Sequence, residues 1–346
     1  MEMVVGVDVH KLEHVAAAVD DAGRAVGQLS FANTVKGVER FIAWLGTIAP
    51  GGVVIGIENA GGYGTTLTVA LSRAGLVALD VPPWRTAPER RALGPGKTDA
   101  HDAEAIARVV LGHRDRLAPA LQPELVRAVG LLETARRQEV RDRTKVIQRL
   151  RAVWTTIDPA AEASATKLKS PHQLRKLRRM TFAGGLVEHT AQRCVRDLAA
   201  RIAQHNQRIA ELEDDLARLL TQHGNPVDGV IGGGPIVAAQ LITHAGDARR
   251  FRNAAAFAAY CGTSPIPCGS GKTSGRHRLN PAGNRQLNTA IHRIALTQAR
   301  LDPRARAYLA RKKAEGKTDR EARRALKRHL TNVVNRHLTT WAERLT

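Results

Sequence analysis

A mixed α/β sheet with helices on its faces, followed by a helical middle region and a mainly helical C-terminal region, is the fold class that the sequence predicts. Three observations predict it. The first 81 residues hold five short apolar runs of strand length, the first three joined by turns and the last two separated by helical patterns. A meander that passes into alternating helices and strands gives a sheet with both antiparallel and parallel neighbours. Beyond residue 118 the strand patterns stop, and long basic stripes of helical period replace them.

The elements follow in order. Met3–Asp8 reads as a buried strand ending in an acid, Val15–Val19 as a second strand, and Ala25–Phe31 as a third after the Asp20–Gly23 turn. Asn33 or Thr34 caps a helix through Trp44, with Val35, Val38, Phe41, Ile42 and Leu45 on one stripe. Val53–Ile57 is an apolar strand with Glu58 at its end. Thr65–Ala74 is a helix stopped by Gly75, and Val77–Val81 a strand closed by Pro82-Pro83. Trp84–Lys97, rich in Arg, Pro and Gly, reads as a loop leading to a helix from Asp99 to about Val110. These elements make a first domain over residues 1–117.

Residues 118–224 form a basic helical region. Leu125, Val129 and Leu132 begin a stripe that Val146, Leu150 and Val153 resume, and Arg136, Arg137, Arg141, Arg143 and Lys145 lie between them. Val195, Leu198, Ile202, Ile209, Leu212, Leu216 and Leu219 then follow spacings of three and four, with His205 as a register or core histidine. That coiled-coil seam fits an intramolecular hairpin or a dimer contact equally well. The basic stretch reads as an RNA or DNA contact, or as a solvated helix face. Residues 225–346 form the last domain. Gly232-Gly233-Gly234 opens an apolar helix as a phosphate-binding or a tight packing turn. Helices end near Ala259 and run over Gly283–Ala299 and Asp319–Leu345, the last with Leu326, Leu330, Val333, Val334, Leu338 and Trp341 inward.

Charge sets the partner class. The chain of 346 residues carries 53 Lys and Arg against 32 Asp and Glu, a formal charge of +21. Such an excess points to a polyanion, because bound cations release the counterions condensed on a phosphate backbone. A membrane is the other polyanion, but no stretch is apolar for the eighteen or so residues of a span. The N-terminus enters a strand with no signal-peptide pattern, and Cys194, Cys261 and Cys268 lack paired ligand spacing. The expected compartment is the reducing cytoplasm.

The chemistry centres on four acids. Asp99 and Asp102 share one face at a helix start, where acids are common for electrostatic reasons alone. Asp8 and Glu58 stand at strand ends, where groups from neighbouring strands converge. Four carboxylates in one crevice repel unless a cation joins them. Mg²⁺ is the usual choice beside phosphates, and two ions about 4 Å apart clamp a phosphoryl transfer. A second loaded stretch is Cys268–Leu279, where glycines flank Ser270 and Lys272, Arg276 and Arg278 follow. It reads as a phosphate-binding turn or as a serine nucleophile with its phosphate holders.

Gly6-Val7-Asp8-Val9-His10-Lys11, Ile57-Glu58-Asn59-Ala60-Gly61-Gly62-Tyr63-Gly64 and Lys97-Thr98-Asp99-Ala100-His101-Asp102-Ala103 occur in this order. Together they resemble the DEDD-type transposases of bacterial insertion sequences, whose N-terminal domain is RNase H-like in its RuvC-type branch. The resemblance covers residue 1 to about 114 and about 230–300. It implies that Asp8, Glu58, Asp99 and Asp102 hold two Mg²⁺ ions, with Mn²⁺ as a substitute, and that Lys97 meets nucleic acid. It also implies that Ser270, in the Ser270-Gly271 pair, attacks DNA, that donor and target DNA are the substrates, that a structured noncoding RNA guides the enzyme, and that the chain is a homo-oligomer, dimer or tetramer. The chain departs from the pattern twice. The spacing from Ser270 to the Arg-rich end is shortened, leaving Ser274 a second candidate, and Pro281-Ala282 replaces a basic residue. The alternatives are a RuvC-like structure-specific endonuclease using metal-activated water, and a non-catalytic nucleic-acid-binding protein.

Overall fold

The computed structural model describes residues 3–94, 98–157, 168–267, 277–278, 280 and 283–345. They divide into two compact units, Met1–Pro123 with Asp247–Ala256, and Glu124–Gly246 with Phe257–Thr346.

The first unit is built on a six-stranded sheet. Its strands are β1 (Met3–Val9), β2 (Glu13–Val19), β3 (Ala25–Ala32), β4 (Val53–Glu58), β5 (Ala78–Val81) and the two-residue β6 (Ala118–Pro119), in the order β3-β2-β1-β4-β5-β6. β1, β4 and β5 are mutually parallel, while β2, β3 and β6 pair antiparallel. This is the mixed sheet of an RNase H-like fold. β1 is buried along its whole length, which is why it reads as a continuous apolar run.

Alternation along β1 and β4 sorts their side chains between two cores. Val5, Val7, Ile55 and Ile57 join Phe31, Phe41 and Leu45 under helices α1 (Val35–Ile48) and α2 (Thr65–Arg73). Val4 packs on the opposite face with Ile106, Ala107 and Val110 of the helix Asp99–His113. Gly6 and Gly56 are direct partners in the β1–β4 register and lie on that same face. A Cβ at Gly6 would fall 2.1 Å from the Ala103 carbonyl oxygen, and one at Gly56 would fall 2.3 Å from Val110. Two adjacent glycines therefore let the helix backbone rest directly on the sheet.

The chain after Pro82 departs from expectation. Pro83–Ala92 is helix α3, where the sequence predicts a loop. Pro83 occupies the first turn, where no N–H is needed, and the helix tolerates Pro88 inside it. Thr86 and Arg90, four residues apart on one face, both bond Glu58, so tertiary contacts override weak propensity. The helix Asp99–His113 is then α4.

In the second unit α5 (Glu124–Thr155) pairs with α7 (Leu186–His223), and α6 (Pro171–Arg179) packs beside them. Val146, Leu150 and Trp154 of α5 meet Val195 and Ile202 of α7. The heptad seam is thus buried within one chain, as a hairpin, with Leu220 rather than Leu219 in the last buried place. α8 (Pro235–Ala245), α9 (Ala254–Tyr260), α10 (Arg285–Leu301), α11 (Pro303–Ala314) and α12 (Asp319–Glu343) complete the helices, and β7 (Ile266–Pro267) pairs with β8 (His277–Arg278). The Gly232–Gly234 turn has a packing cause: a Cβ at Gly233 would fall 2.4 Å from the Val227 carbonyl oxygen. Among the described residues no helix is long and apolar enough to cross a membrane.

Gly6→Ala tests the closeness of α4. The added methyl forces α4 away from β1, and a cost of about 2 kcal/mol or more is expected from overpacking. Thermal denaturation of the variant checks this; an unchanged melting temperature means that α4 does not rest on Gly6.

Candidate active site

The site lies where β1 and β4 end. Asp8 and Glu58 are direct register partners, two residues beyond the Gly6–Gly56 pair and on the same face. Asn59, immediately after Glu58, has a φ of +59°, a left-handed conformation that asparagine tolerates better than most residues. It turns the chain away, so Glu58 is the last strand residue. Across from them α4 begins at Thr98, whose hydroxyl accepts the His101 N–H at 3.2 Å. The first turn of α4 carries Asp99 and Asp102.

Three of the four acids are buried: Asp8 and Glu58 are 8% exposed and Asp102 is 7%, while Asp99 lies open. Arg90 joins two of them, with Nη2 2.5 Å from Glu58 Oε2 and Nε 2.6 Å from Asp102 Oδ1. Thr86 Oγ1 donates to the other Glu58 oxygen at 2.7 Å. His10 links the remaining pair, with Nε2 3.1 Å from Asp8 Oδ2 and 3.7 Å from Asp99 Oδ1. Ligating atoms of Asp8, His10 and Asp99 all lie within 4.8 Å of one another. Burial pushes the Asp8 carboxyl above the usual carboxylate range; nearby His10 opposes this, and the charges of Asp102 and Glu58 add to it.

Arg90, Thr86 and His10 were not among the residues that the sequence singles out. The signal for His10 was its place two residues after Asp8. Thr86 and Arg90 had the spacing of one helix face, obscured by the prolines around them.

The predicted nucleic-acid contacts fall into different surroundings. Arg136 is turned inward, its Nε 2.9 Å from Glu213 and its Nη1 3.3 Å from Glu133. Arg137 Nη1 lies 3.2 Å from His244 Nε2, and burial with that neighbouring charge pushes the His244 imidazole down to about 4. Arg143 donates to Asn206 at 2.8 Å. These three guanidiniums brace the helices, whereas Arg141 and Lys145 are exposed, Lys145 beside Asp142. His205 meets Glu139 at 2.6 Å, as a register histidine would. Arg278 is exposed on β8. Lys97, Ser270, Lys272, Thr273, Ser274 and Arg276 lie outside the described residues.

An RNase H-like sheet with carboxylates at the ends of adjacent parallel strands, and more on the helix crossing them, defines a class of enzymes that cut or transfer nucleic-acid strands. The family follows from sequence comparison. Residues 5–159 match the model of DEDD-type IS110 transposases, and residues 227–310 match the "Transposase IS116/IS110/IS902 family". The chain belongs to the IS110 family of insertion-sequence transposases, enzymes that cleave and rejoin DNA. It is 26% identical to an uncharacterized 44.8 kDa protein of insertion element IS116 from Streptomyces clavuligerus, over 95% of this chain and 93% of that one. It is 27% identical to an uncharacterized 42 kDa protein of IS900 from Mycobacterium paratuberculosis, over 95% and 94%. The putative transposase of the IS117 mini-circle from Streptomyces coelicolor is 24% identical, over 94% and 90%. Among solved structures, T. thermophilus RuvC in complex with a Holliday junction substrate is similar over 34% of this chain and 99% of RuvC, with 16% identity and a TM-score of 0.28.

The charge balance predicts opposite effects for two substitutions in metal-free protein. Asp8→Asn removes a buried charge that its neighbours repel. Because the Asp8 carboxyl is raised in the fold, its ionisation costs stability above the carboxylate range and nothing once both states are protonated. Asp8→Asn should therefore raise the melting temperature at about pH 7, and the gain should vanish as the pH falls below about 4. Arg90→Met leaves Glu58 and Asp102 without their counter-charge and should cost about 1–3 kcal/mol at neutral pH, the upper figure for a buried pair reduced for partial exposure. Melts of both variants across pH check the signs.

Proposed function

We propose that this transposase cleaves DNA with divalent metal at Asp8, Glu58, Asp99 and Asp102, and joins strands through a covalent link to Ser270. The observation that carries the metal reading is the gathering of four carboxylates, two on the Arg90 guanidinium and two on the His10 imidazole. Hard oxygen donors, one imidazole and an excess of negative charge fit Mg²⁺, with Mn²⁺ as a substitute, and a set of four carboxylates has room for two ions. Bound there, the ions would supply Lewis-acid stabilisation of charge on the phosphoryl oxygens.

The residues of the chain do the rest. Glu58 is held by Thr86 and Arg90, and Asp8 by His10, so the carboxylates are oriented before any ligand arrives. Ser270 Oγ attacks a DNA phosphorus; the Oγ–P bond forms, a strand P–O bond breaks, and the departing strand end leaves as a hydroxyl. The serine proton passes to a base, for which His277 is the candidate. Attack by a second strand's hydroxyl on the phosphoserine reverses the exchange and frees the serine, so rejoining needs no ATP. The partners in this reading are donor and target DNA, a structured noncoding guide RNA, and further copies of the chain. It acts in the cytoplasm on nucleoid DNA. The formal charge of +21 supports polyanionic partners. Because the α7 seam is buried against α5, a homo-oligomeric contact would use another surface.

Two variants test the reading. Asp8→Asn should stop strand cleavage in Mg²⁺ while nucleic-acid binding persists; normal recombination by this variant removes the metal site. Ser270→Ala should keep metal and nucleic-acid binding but lose the protein–DNA adduct seen on denaturing gels. An adduct that persists moves the nucleophile to Ser274 or Thr273. Cleavage with no adduct in the wild type favours the nuclease with activated water.

A further inference from the structure

The second unit contains a cavity of about 410 Å³ that the acid cluster does not explain. Its walls come from the chain around Thr263, from β8, from the turn between α11 and α12, and from one face of α12. Its charge is one-sided. Among the described residues, Arg278, Lys317, Arg324, Lys327 and Arg328 line it without a carboxylate partner in an ion pair. The two acids on its wall are engaged elsewhere: Glu315 pairs with Lys312, and Glu321 accepts from Thr318 in the cap of α12.

Lys327 is the decisive member. It is only 8% exposed, and among the described residues its Nζ has one hydrogen-bond partner, Asn288 Oδ1 at 2.5 Å. Asn288 is itself fixed, because its Nδ2 donates to the carbonyl oxygens of Cys261 and Gly262, each at 3.0 Å. The amide thus presents its oxygen to the ammonium, and among the described residues the ammonium's other two donors have no acceptor. Burial pushes the Lys327 pKa down, and no carboxylate offsets it. A buried charge without a counter-ion lowers stability, and an apolar side chain of equal length would serve packing better. Such a residue is intelligible when an anion arrives to complete it.

The size of the space narrows the anion. Its volume lies in the range of roughly 300–1,000 Å³ typical of sites for small organic ligands, far above what a lone phosphate fills. Tyr308, on the wall, meets His329 edge-on at 5.2 Å between ring centroids, and Arg311 and Lys312 stand over its ring at 5.3 and 5.8 Å from the centroid, contacts that a stacked base would share or displace. Aromatic faces beside unpaired cations are how single strands are held without sequence preference.

We propose that this cavity seats one nucleotide of a single-stranded polynucleotide, its phosphate on Lys327, Arg324 and Arg328 and its nucleoside toward Tyr308. The site is independent of the metal reading. DNA and RNA share the chemistry, so the test has an arm for each.

Binding of a fluorescent single-stranded DNA 20-mer and of the RNA of the same sequence is measured by anisotropy against salt, using the full-length protein. Lys327→Met should weaken binding about tenfold and reduce the log–log salt slope by about 1. Its melting temperature should hold or rise, because a buried ammonium is gone. Arg324→Gln, at a half-buried position, should act the same way and carries the test if Lys327→Met does not fold. Arg304→Gln, at an exposed position outside the cavity, is the control. A loss on RNA alone assigns the seat to RNA, a loss on DNA alone assigns it to DNA, and a loss on both assigns it to either strand. Affinity within twofold of wild type and an unchanged slope for both variants overturn the proposal. So does a loss that Arg304→Gln reproduces in full, which reports net charge alone.

Discussion

The contact on which the first unit depends is that of α4 with the bare backbone of β1 and β4. Gly6 and Gly56 form one register pair, and Asp8 and Glu58 form the next pair on the same face. A helix that rests on the glycines therefore brings its first turn level with the acids. The helix side chains on either side of the contact are small or β-branched: Ala103, Ile106, Ala107 and Val110 are all fully buried. Had β1 carried alanine in place of Gly6, the Ala103 carbonyl would have to move, and with it Asp99 and Asp102. The same packing that builds the core thus sets the spacing of the carboxylates.

That spacing conflicts with stability. Glu58 and Asp102 are buried close enough to Asp8 for their charges to add to the cost of ionising it. Arg90 and His10 relieve the conflict in part, each by joining two acids. In the second unit the sign is reversed: Lys327 is a buried cation whose one hydrogen-bond partner among the described residues is an amide. Neither arrangement is what folding alone selects, since uncharged side chains would pack at lower cost. In the reading proposed above, each residual charge is completed by a partner of opposite sign. The acids suit divalent cations and the ammonium suits phosphate.

Much of the first unit was legible in the sequence because its signals are local. Strand runs that end in Asp8 and Glu58, and a Thr98 cap followed by Asp99 and Asp102, need no knowledge of distant residues. Helix α3 was not legible. Its prolines argue against a helix in isolation, and tertiary contacts hold it, among them the bonds from Thr86 and Arg90 to Glu58 and from Arg90 to Asp102. Arg90 was missed for the same reason: its importance lies in two acids that are 32 and 12 residues away in the chain. The seam in α7 was visible as a heptad pattern, but a pattern states that a face is buried and not which helix covers it.

Net charge is similarly silent about place. Arg136 and Arg143 contribute to the total of +21 as fully as Arg141 does, yet they satisfy Glu213, Glu133 and Asn206 inside the helical unit. A guanidinium already paired in a tight interface has little left to offer a phosphate, because moving it exposes its buried partner. Glu133 is such a partner, buried and held by Arg136. The cations that can meet a polyanion are those whose partners are neutral or absent. By that criterion, among the described residues, the long basic helix contributes Arg141, and α12 with the turn before it contributes Lys317, Arg324, Lys327 and Arg328. Charge that follows from the amino-acid count becomes a binding surface only after the internal pairs are subtracted.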